Sequence, residues 1–489
     1  MSEHKFIDKF LNAKQILTFN DVILLPGHTN VEPNEVDVQG KVTKRHNLKI
    51  PFISSPMDTV TEADMAIALA REGGVGVLHR NCSLEEEVAM AKQVKRAESF
   101  IIRDVFTINP ESTVAQALAI MTQHSIHGLP VTVDTDDVVG IITGRDVRYA
   151  DPELRVKDVM TPKERLISAD PSLTPEQARN LLHKHRIEKI PIINSEGKLI
   201  GLVTTRDIEL KGDFPHAARD EEGRLLCGAA VSPFDFKRAV ALDEWVDFLI
   251  VDVAHFDNQN VINATKKIIE AVSVEVIAGN IGTKESALNA VSTLEDVAGL
   301  RCGIGSGSIC STSIVTRAGA PTLFATLQAA DAVKELGADI PIIADGGIKN
   351  PGDAALALAG GASAVMMGNI FAGCKESPGS LISLEGRKFK AYRGMGSLAA
   401  RKKRFVMDRY SEPAKTLAEG VEGWVPYRGE LSGVVNEFVG GLRAAMGYTG
   451  SSSIYEMWEK AKFGFLTNPG AEEMRPHDIL LPGKSLTET

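Results

Sequence analysis

Eight short apolar runs punctuate the chain: KIPFISSPM (49–57), GVGVLH (74–79), LCGAAVS (226–232), VDFLIVDVA (246–254), VEVIAGN (274–280), LRCGIGSG (300–307), IPIIADGG (340–347) and ASAVMMGN (362–369). Stretches of helical character separate them. Near-continuous apolar strands alternating with helices predict a parallel sheet covered on both faces. Eight such units predict a closed (β/α)8 barrel, a TIM barrel.

A second pattern lies between the second and third runs. IHGLPVTVDTDDVVGIITGRDVR, starting at Ile126, recurs as IEKIPIINSEGKLIGLVTTRDIE, starting at Ile187, with a constant offset from Pro130/Pro191 to Asp146/Asp207. Each copy reads as helix, strand, turn, strand and the start of a helix. Thr-x-Arg-Asp stands at the last junction, where a hydroxyl and a carboxylate can cap a helix. Residues 96–153 and 154–214 are therefore expected to form a paired module inserted after the second barrel strand. Residues 1–95 and 215–489 are expected to form the barrel.

Composition narrows the function classes. The formal charge of −10 argues against general affinity for nucleic acid or an anionic membrane. The five cysteines, Cys82, Cys227, Cys302, Cys310 and Cys374, are odd in number and show no C-x-x-C spacing, so neither a disulfide framework nor a zinc ribbon is expected. A reducing cytoplasm fits best, and the amino-terminal MSEHKFIDKFLNAKQ carries no apolar signal core. The uncharged run Ala354–Cys374 has the length of a membrane span, yet Gly360-Gly361 breaks it into a helical and a strand-like half, which predicts buried α/β structure.

The residues with chemical potential fall at the carboxyl ends of the predicted strands: Asp58, Asp252, Asn280, Cys310, Asp345-Gly346-Gly347 and Gly368-Asn369. In such barrels that rim carries the active site, and glycines after the seventh and eighth strands suit a phosphate. Cys310 ends the loop GIGSGSIC, whose backbone can approach a ligand closely. A thiol there is a candidate nucleophile, helped towards thiolate by loop N–H groups and by Arg301. The other four cysteines lack this context and are expected to be structural. Between Tyr392 and Gly429 lies a long polar segment of weak periodicity, expected to be a functional or disordered loop.

Taken together, SSPMDTVTE, GIGSGSIC, ADGGI, VMMG, YRGMGS, DRY and EGVEG, in this order around an inserted repeat pair, resemble the IMP dehydrogenase / GMP reductase family across essentially the whole chain. The repeats resemble cystathionine-β-synthase-type (CBS) modules, in which Asp146 and Asp207 would face the ribose of an adenine or guanine nucleotide. The resemblance implies that Cys310 attacks C2 of inosine 5′-monophosphate (IMP), that hydride passes to NAD, and that a mobile flap over about 392–429 then brings Arg409 and Tyr410 beside the hydrolytic water. Thr312 and Glu419 match the family's second proton relay.

For IMP the matching positions are Ser55, Met57, Ser308, Asp345, Gly346, Gly347, Gly368, Asn369, the backbone of Tyr392, Arg393, Gly394, Met395 and Gly396, and Glu419. For NAD they are Asp252, Asn280, Gly303, Ile304 and Gly305. The resemblance also implies a potassium ion on carbonyls of Gly305, Gly307 and Cys310, joined by Glu473, Met474 and Arg475 of a neighbouring subunit. A shared cation implies a homotetramer, extendable to an octamer through the CBS modules.

Glu473 to Arg475 differs from common versions of the cation segment, a change that carbonyl ligation tolerates, and three positions beside the cysteine loop also depart from the family pattern. Ser313 stands where glutamine or arginine usually follows Cys-x-Thr, Arg317 where a glycine is common, and Thr322 where glutamine usually follows the proline. Two other readings stay open at this point: GMP reductase, which deaminates GMP with NADPH, and a nucleotide-binding regulator without catalysis.

Overall fold

The computed structural model describes residues 6–97, 101–102, 105–124, 126–133, 137–205, 214–402 and 418–476. All eight apolar runs form parallel strands: β1 (Phe52–Ser54), β2 (Val75–Leu78), β3 (Cys227–Val231), β4 (Phe248–Val251), β5 (Glu275–Ile281), β6 (Val297–Cys302), β7 (Ile342–Asp345) and β8 (Ala364–Met367). They pair in chain order, and β8 returns to β1 to close the barrel. The strands read as unbroken apolar runs because each is buried on both sides. Ile53, Val75, Val77, Ala230, Phe248, Ile250, Ile277, Ile343, Ala364 and Met366 fill one cluster. Phe52, Ala344, Val365 and Met367 belong to another, which includes the surrounding helices.

Those helices carry apolar stripes at the required spacing. Leu431–Thr449 buries Leu431, Val434, Val435, Phe438, Leu442 and Met446, and Phe438 meets Phe52 edge to face at 5.9 Å. The helix Pro351–Ala359 begins at Asn350, whose side chain accepts from the Asp353 N–H at 3.0 Å, with proline in the first turn. It accounts for the helical half of the uncharged run, and β8 with the short helix Asn369–Ala372 accounts for the rest. Among the described residues no helix is long and apolar enough to cross a membrane.

The chain divides into two compact units, one comprising Met1–Lys95, His216–Asp220 and Leu225–Thr489, the other Arg96–Pro215 and Glu221–Arg224. Lys95 fastens the barrel unit where the chain leaves it. Its buried ammonium donates to Asp247 at 2.6 and 2.8 Å, to Asp220 at 3.0 Å and to the Leu225 carbonyl at 3.1 Å.

In the second unit the repeats have matching parts. The helices Val114–Gln123 and Pro175–His185 each start with a Thr-x-x-Gln capping box, at Thr113/Gln116 and Thr174/Gln177. Each precedes an antiparallel hairpin, Gly128–Val133 with Asp137–Thr143 in the first copy and Lys189–Ile193 with Leu199–Thr204 in the second. Repeat-related positions form both cores: Ala117, Met121, Leu129, Val131 and Ile142 in one, Ala178, Leu182, Ile190, Ile192 and Val203 in the other. Asp146 accepts from the Thr143 N–H and hydroxyl, both at 2.7 Å, as a helix cap. Asp207 lies outside the described residues.

One expectation needs correction. The segment beginning at Tyr392 is not irregular at its ends: β9 (Leu381–Leu384), β10 (Arg387–Arg393) and β11 (Glu422–Pro426) form an antiparallel sheet. The strand signal in β10 is masked because its inward positions are Lys390 and Tyr392, so a lysine stands where alternation calls for an apolar residue. Lys390 is accommodated by carbonyl acceptors, Ser377 at 2.7 Å and Lys375 at 3.4 Å, and burial holds its ammonium below the usual lysine range.

Candidate functional site

The loop after β6 is fastened at many points. The Gly303 carbonyl accepts from Asn280 Nδ2 at 2.8 Å, Ile304 and Ala320 exchange backbone bonds at 2.8 and 2.9 Å, and Ser308 Oγ accepts from Asn369 Nδ2 at 3.1 Å. Gly305 adopts φ +78°, and a Cβ there would lie 2.1 Å from Ser313 Oγ, so the small side chain at 313 fills the space under a residue that has to be glycine. The Cys310 N–H closes a turn onto the Gly307 carbonyl at 2.9 Å.

Cys310 is half-buried and unpaired. Its sulfur lies 3.2 Å from Thr312 Oγ1, which in turn lies 3.3 Å from Glu419 Oε2. Thr312 and Glu419 are both buried. Backbone bonds hold this array: Ser311 N–H to the Glu419 carbonyl at 3.3 Å, Val421 N–H to the Ile309 carbonyl at 3.1 Å, and Glu419 N–H to the Gly396 carbonyl at 3.2 Å. The segment entering β11 is thus stitched to the loop that carries Cys310. The arrangement is a thiol, a hydroxyl and a carboxylate in series, which can carry a proton to or from an atom bonded at sulfur.

The remaining thiols differ. Cys82, Cys227, Cys302 and Cys374 are buried. Burial pushes Cys82, Cys227 and Cys374 up to about 12, and Cys302 also upward, which keeps them as thiols.

A charged clamp spans the strand ends across the barrel rim. Arg301, on β6, donates from Nη1 to Asp252 Oδ1 at 2.8 Å and from Nε to Asp345 Oδ2 at 2.9 Å, with Nη2 also 2.9 Å from Asp345 Oδ2. Asn280 Nδ2 adds a bond to Asp345 Oδ2 at 2.9 Å, and Arg80 Nε lies 3.5 Å from Asp252 Oδ2. Burial opposes charge on Arg301, but Asp345 and Asp252 outweigh it and raise its pKa. The sequence suggests Arg301 as an aid to the thiol; its guanidinium is committed instead to these two carboxylates.

A cavity of about 430 Å³ opens at the carboxyl ends of the barrel strands. It brings together Cys310, Thr312 and Glu419, the loop Gly303–Ser308, the carboxylates Asp252 and Asp345, and Asn280. Ser55, Met57, Gly346, Gly347, Gly368, Asn369, Tyr392, Gly394, Met395 and Gly396 complete its wall. At Gly368 a Cβ would stand 2.8 Å from the Tyr392 hydroxyl, and that hydroxyl donates towards Met57 Sδ at 3.7 Å. Burial pushes the Tyr392 phenol well above its usual range, so it stays a neutral donor.

Other expected residues sit elsewhere. The Arg393 side chain binds Asp58 with Nε at 3.0 Å, while Asn81 Nδ2 donates to the same carboxylate at 2.7 Å. Glu473, Met474 and Arg475, at the end of the helix Asn468–Glu473 and just beyond it, do not line the cavity. Arg409 and Tyr410 lie outside the described residues. Sequence reasoning missed the Arg301 clamp, the Asp58–Arg393–Asn81 cluster and Ser306, because each acts through partners distant in sequence.

Fold and site together define a (β/α)8 barrel with a thiol, hydroxyl and carboxylate in series at its carboxyl-terminal rim. The family model described as IMP dehydrogenase / GMP reductase domain matches residues 16–477. The chain is 54% identical to inosine-5′-monophosphate dehydrogenase of Korarchaeum cryptofilum, over 97% of this chain and 98% of that one. It is 48% identical to the enzyme of the same name from Thermoplasma acidophilum, over 97% and 96%. Among solved structures, a GMP reductase variant from Trypanosoma brucei in complex with guanosine 5′-monophosphate superposes with a TM-score of 0.88 at 36% identity, covering 97% of this chain and all of that one. The chain belongs to the IMP dehydrogenase / GMP reductase family.

Proposed function

We propose that the protein oxidises IMP to xanthosine 5′-monophosphate (XMP) with NAD as hydride acceptor, through a covalent intermediate on Cys310. The observation that carries this reading is the Cys310–Thr312–Glu419 series at a nucleotide-sized cavity, in a chain 54% identical to a relative named IMP dehydrogenase.

Cys310 loses its proton and its sulfur bonds to C2 of the purine. The hydride on C2 leaves to the nicotinamide, which supplies the oxidising power when bound. Water then adds at C2, the C–S bond breaks and XMP departs, so IMP, NAD⁺ and water become XMP, NADH and a proton. Splitting oxidation from hydrolysis replaces one difficult step by two easier ones.

Thr312 and Glu419 accept the water's proton in this scheme. Arg409 and Tyr410 form the second route, with arginine limited to partial proton transfer by its high basicity. Asp345 holds the IMP ribose; Ser308, Gly347 and Gly368, with Asn369 and Tyr392 adjoining, hold its phosphate. Asp252, Asn280 and Gly303–Gly305 receive NAD. Among the described residues the carbonyls of Gly305 and Cys310 accept no hydrogen bond, and such oxygens suit a hard monovalent cation, potassium.

Glu473–Arg475 of a neighbouring subunit would complete that shell in a homotetramer, the repeat pair would take an adenine or guanine nucleotide, and five unpaired cysteines accord with a reducing cytoplasm.

The test is absorbance at 340 nm with IMP, NAD and potassium, beside a matched assay of GMP with NADPH. NADH formation in the first alone, abolished in Cys310→Ala, is expected. NADPH consumption in the second would assign GMP reductase instead, and silence in both would leave a nucleotide-binding protein.

A further inference from the structure

The geometry points to Thr322 as a positioning residue that latches the nucleophile loop to the end of β7. Thr322 is buried at the start of the helix Thr322–Glu335. Its hydroxyl donates to the Asp345 carbonyl at 2.7 Å and lies 2.7 Å from Ser306 Oγ. A hydroxyl has one proton, and that of Thr322 goes to a carbonyl that can only accept, so the 2.7 Å contact takes Ser306 as its donor; Ser306 Oγ also lies 3.4 Å from the same Asp345 carbonyl, a longer contact. Ser306 is midway along the loop that ends in Cys310.

Three elements meet at this point. Asp345 is held at its carboxylate by Arg301 and Asn280 and at its carbonyl by Thr322. The loop is held at Gly303 by Asn280 and at Ser306 by Thr322. Asn280 and Thr322 thus tie Asp345 to the loop at two points, Gly303 and Ser306, which restrains the distance between Asp345 and the segment carrying the thiol. The inference rests on the reading of Cys310 as nucleophile and Asp345 as a substrate carboxylate. It explains what Thr322, a departure from the family pattern, does at this junction, where its hydroxyl donates one bond and accepts the other.

The test compares Thr322→Val, which keeps shape and removes the donor, with Thr322→Ser, which keeps the hydroxyl. Thr322→Val is expected to lower kcat about tenfold or more with little change in the KM for IMP, since misplacing a reacting group acts on the chemical step. Iodoacetamide alkylation of Cys310 in the free protein is expected to accelerate roughly threefold as the loop loosens. Thr322→Ser is expected to stay within about threefold of the parent in both readouts.

Ser306→Ala removes the same latch from the other side, and should reproduce the Thr322→Val phenotype even if that variant folds poorly. The double variant should be no worse than either single one, as two ends of one contact require. Parent-like kcat and alkylation in Thr322→Val and Ser306→Ala would overturn the latch, as would a Thr322→Ser variant as impaired as Thr322→Val. If the parent fails to oxidise IMP, the proposed activity falls, while the alkylation rates still decide the latch.

Discussion

Removing the guanidinium of Arg301 is the sharpest perturbation of the rim. Arg301→Met keeps the stem and deletes the head that holds Asp252 and Asp345, at 2.8 and 2.9 Å. Both carboxylates are only 14% exposed and would face each other without their shared counter-charge. Asp345 keeps Asn280, and Asp252 keeps Arg80 at 3.5 Å, so neither is stripped of partners. Breaking a buried ion pair from one side costs about 3–5 kcal/mol, and the remaining partners place this case near the lower bound. At roughly 2 °C per kcal/mol for a large domain, the melting temperature should fall by about 6 °C.

The catalytic consequence is larger, because one residue orients carboxylates assigned to both nucleotides. A loss of kcat/KM of about 100-fold or more is expected, with KM rising for IMP and for NAD. Arg301→Lys should recover only part of this, since one ammonium cannot bond both carboxylates with the fork geometry of arginine. Steady-state kinetics in both substrates, with melting curves, decide it. An Arg301→Met enzyme of unchanged kcat/KM would show that the clamp has no part in placing either nucleotide.

Two further predictions concern charge and thiol chemistry. Burial tends to raise the pKa of Asp58, but hydrogen bonds from Arg393 and Asn81 outweigh it and hold the carboxyl below its usual range. The stabilisation is therefore complete above a pH of about 4 and is lost as the pH falls through the lower folded value, so Asp58→Asn should flatten the acid limb of a melting-temperature profile. An unchanged acid limb would show that the cluster contributes nothing. With four thiols buried and pushed upward, brief labelling at pH 8 should modify one cysteine, mapped to Cys310, and IMP should protect it. Fast labelling at Cys82 or Cys374 would contradict the burial argument.

What was legible in the sequence follows from where the information is local. The barrel strands were readable because parallel strands covered on both faces are apolar along most of their length, and the GIGSGSIC loop because glycines at the carboxyl end of a strand let backbone approach a ligand closely. The repeat pair was readable because its core residues recur, Leu129 with Ile190 and Val131 with Ile192. The sheet β9–β11 was not, because Lys390 is buried on carbonyl acceptors rather than exposed. The Arg301 clamp was not, because it joins residues 252, 301 and 345, a relation that exists only once the four consecutive strands β4 to β7 are assembled in the barrel. Arg393 carries the same lesson: its motif suggested that its backbone meets a ligand, and nothing local announced that its side chain neutralises Asp58 on the first rim loop.

Covalent catalysis by Cys310 is tested most directly by an acid-quenched single turnover with enzyme in excess over IMP, following NADH and the mass of the Cys310 peptide together. The expected result is a purine nucleotide adduct on that peptide that rises with NADH and decays as XMP appears. Complete conversion of IMP to XMP with the Cys310 peptide unmodified at every time point, and with Cys310→Ala still active, would contradict it.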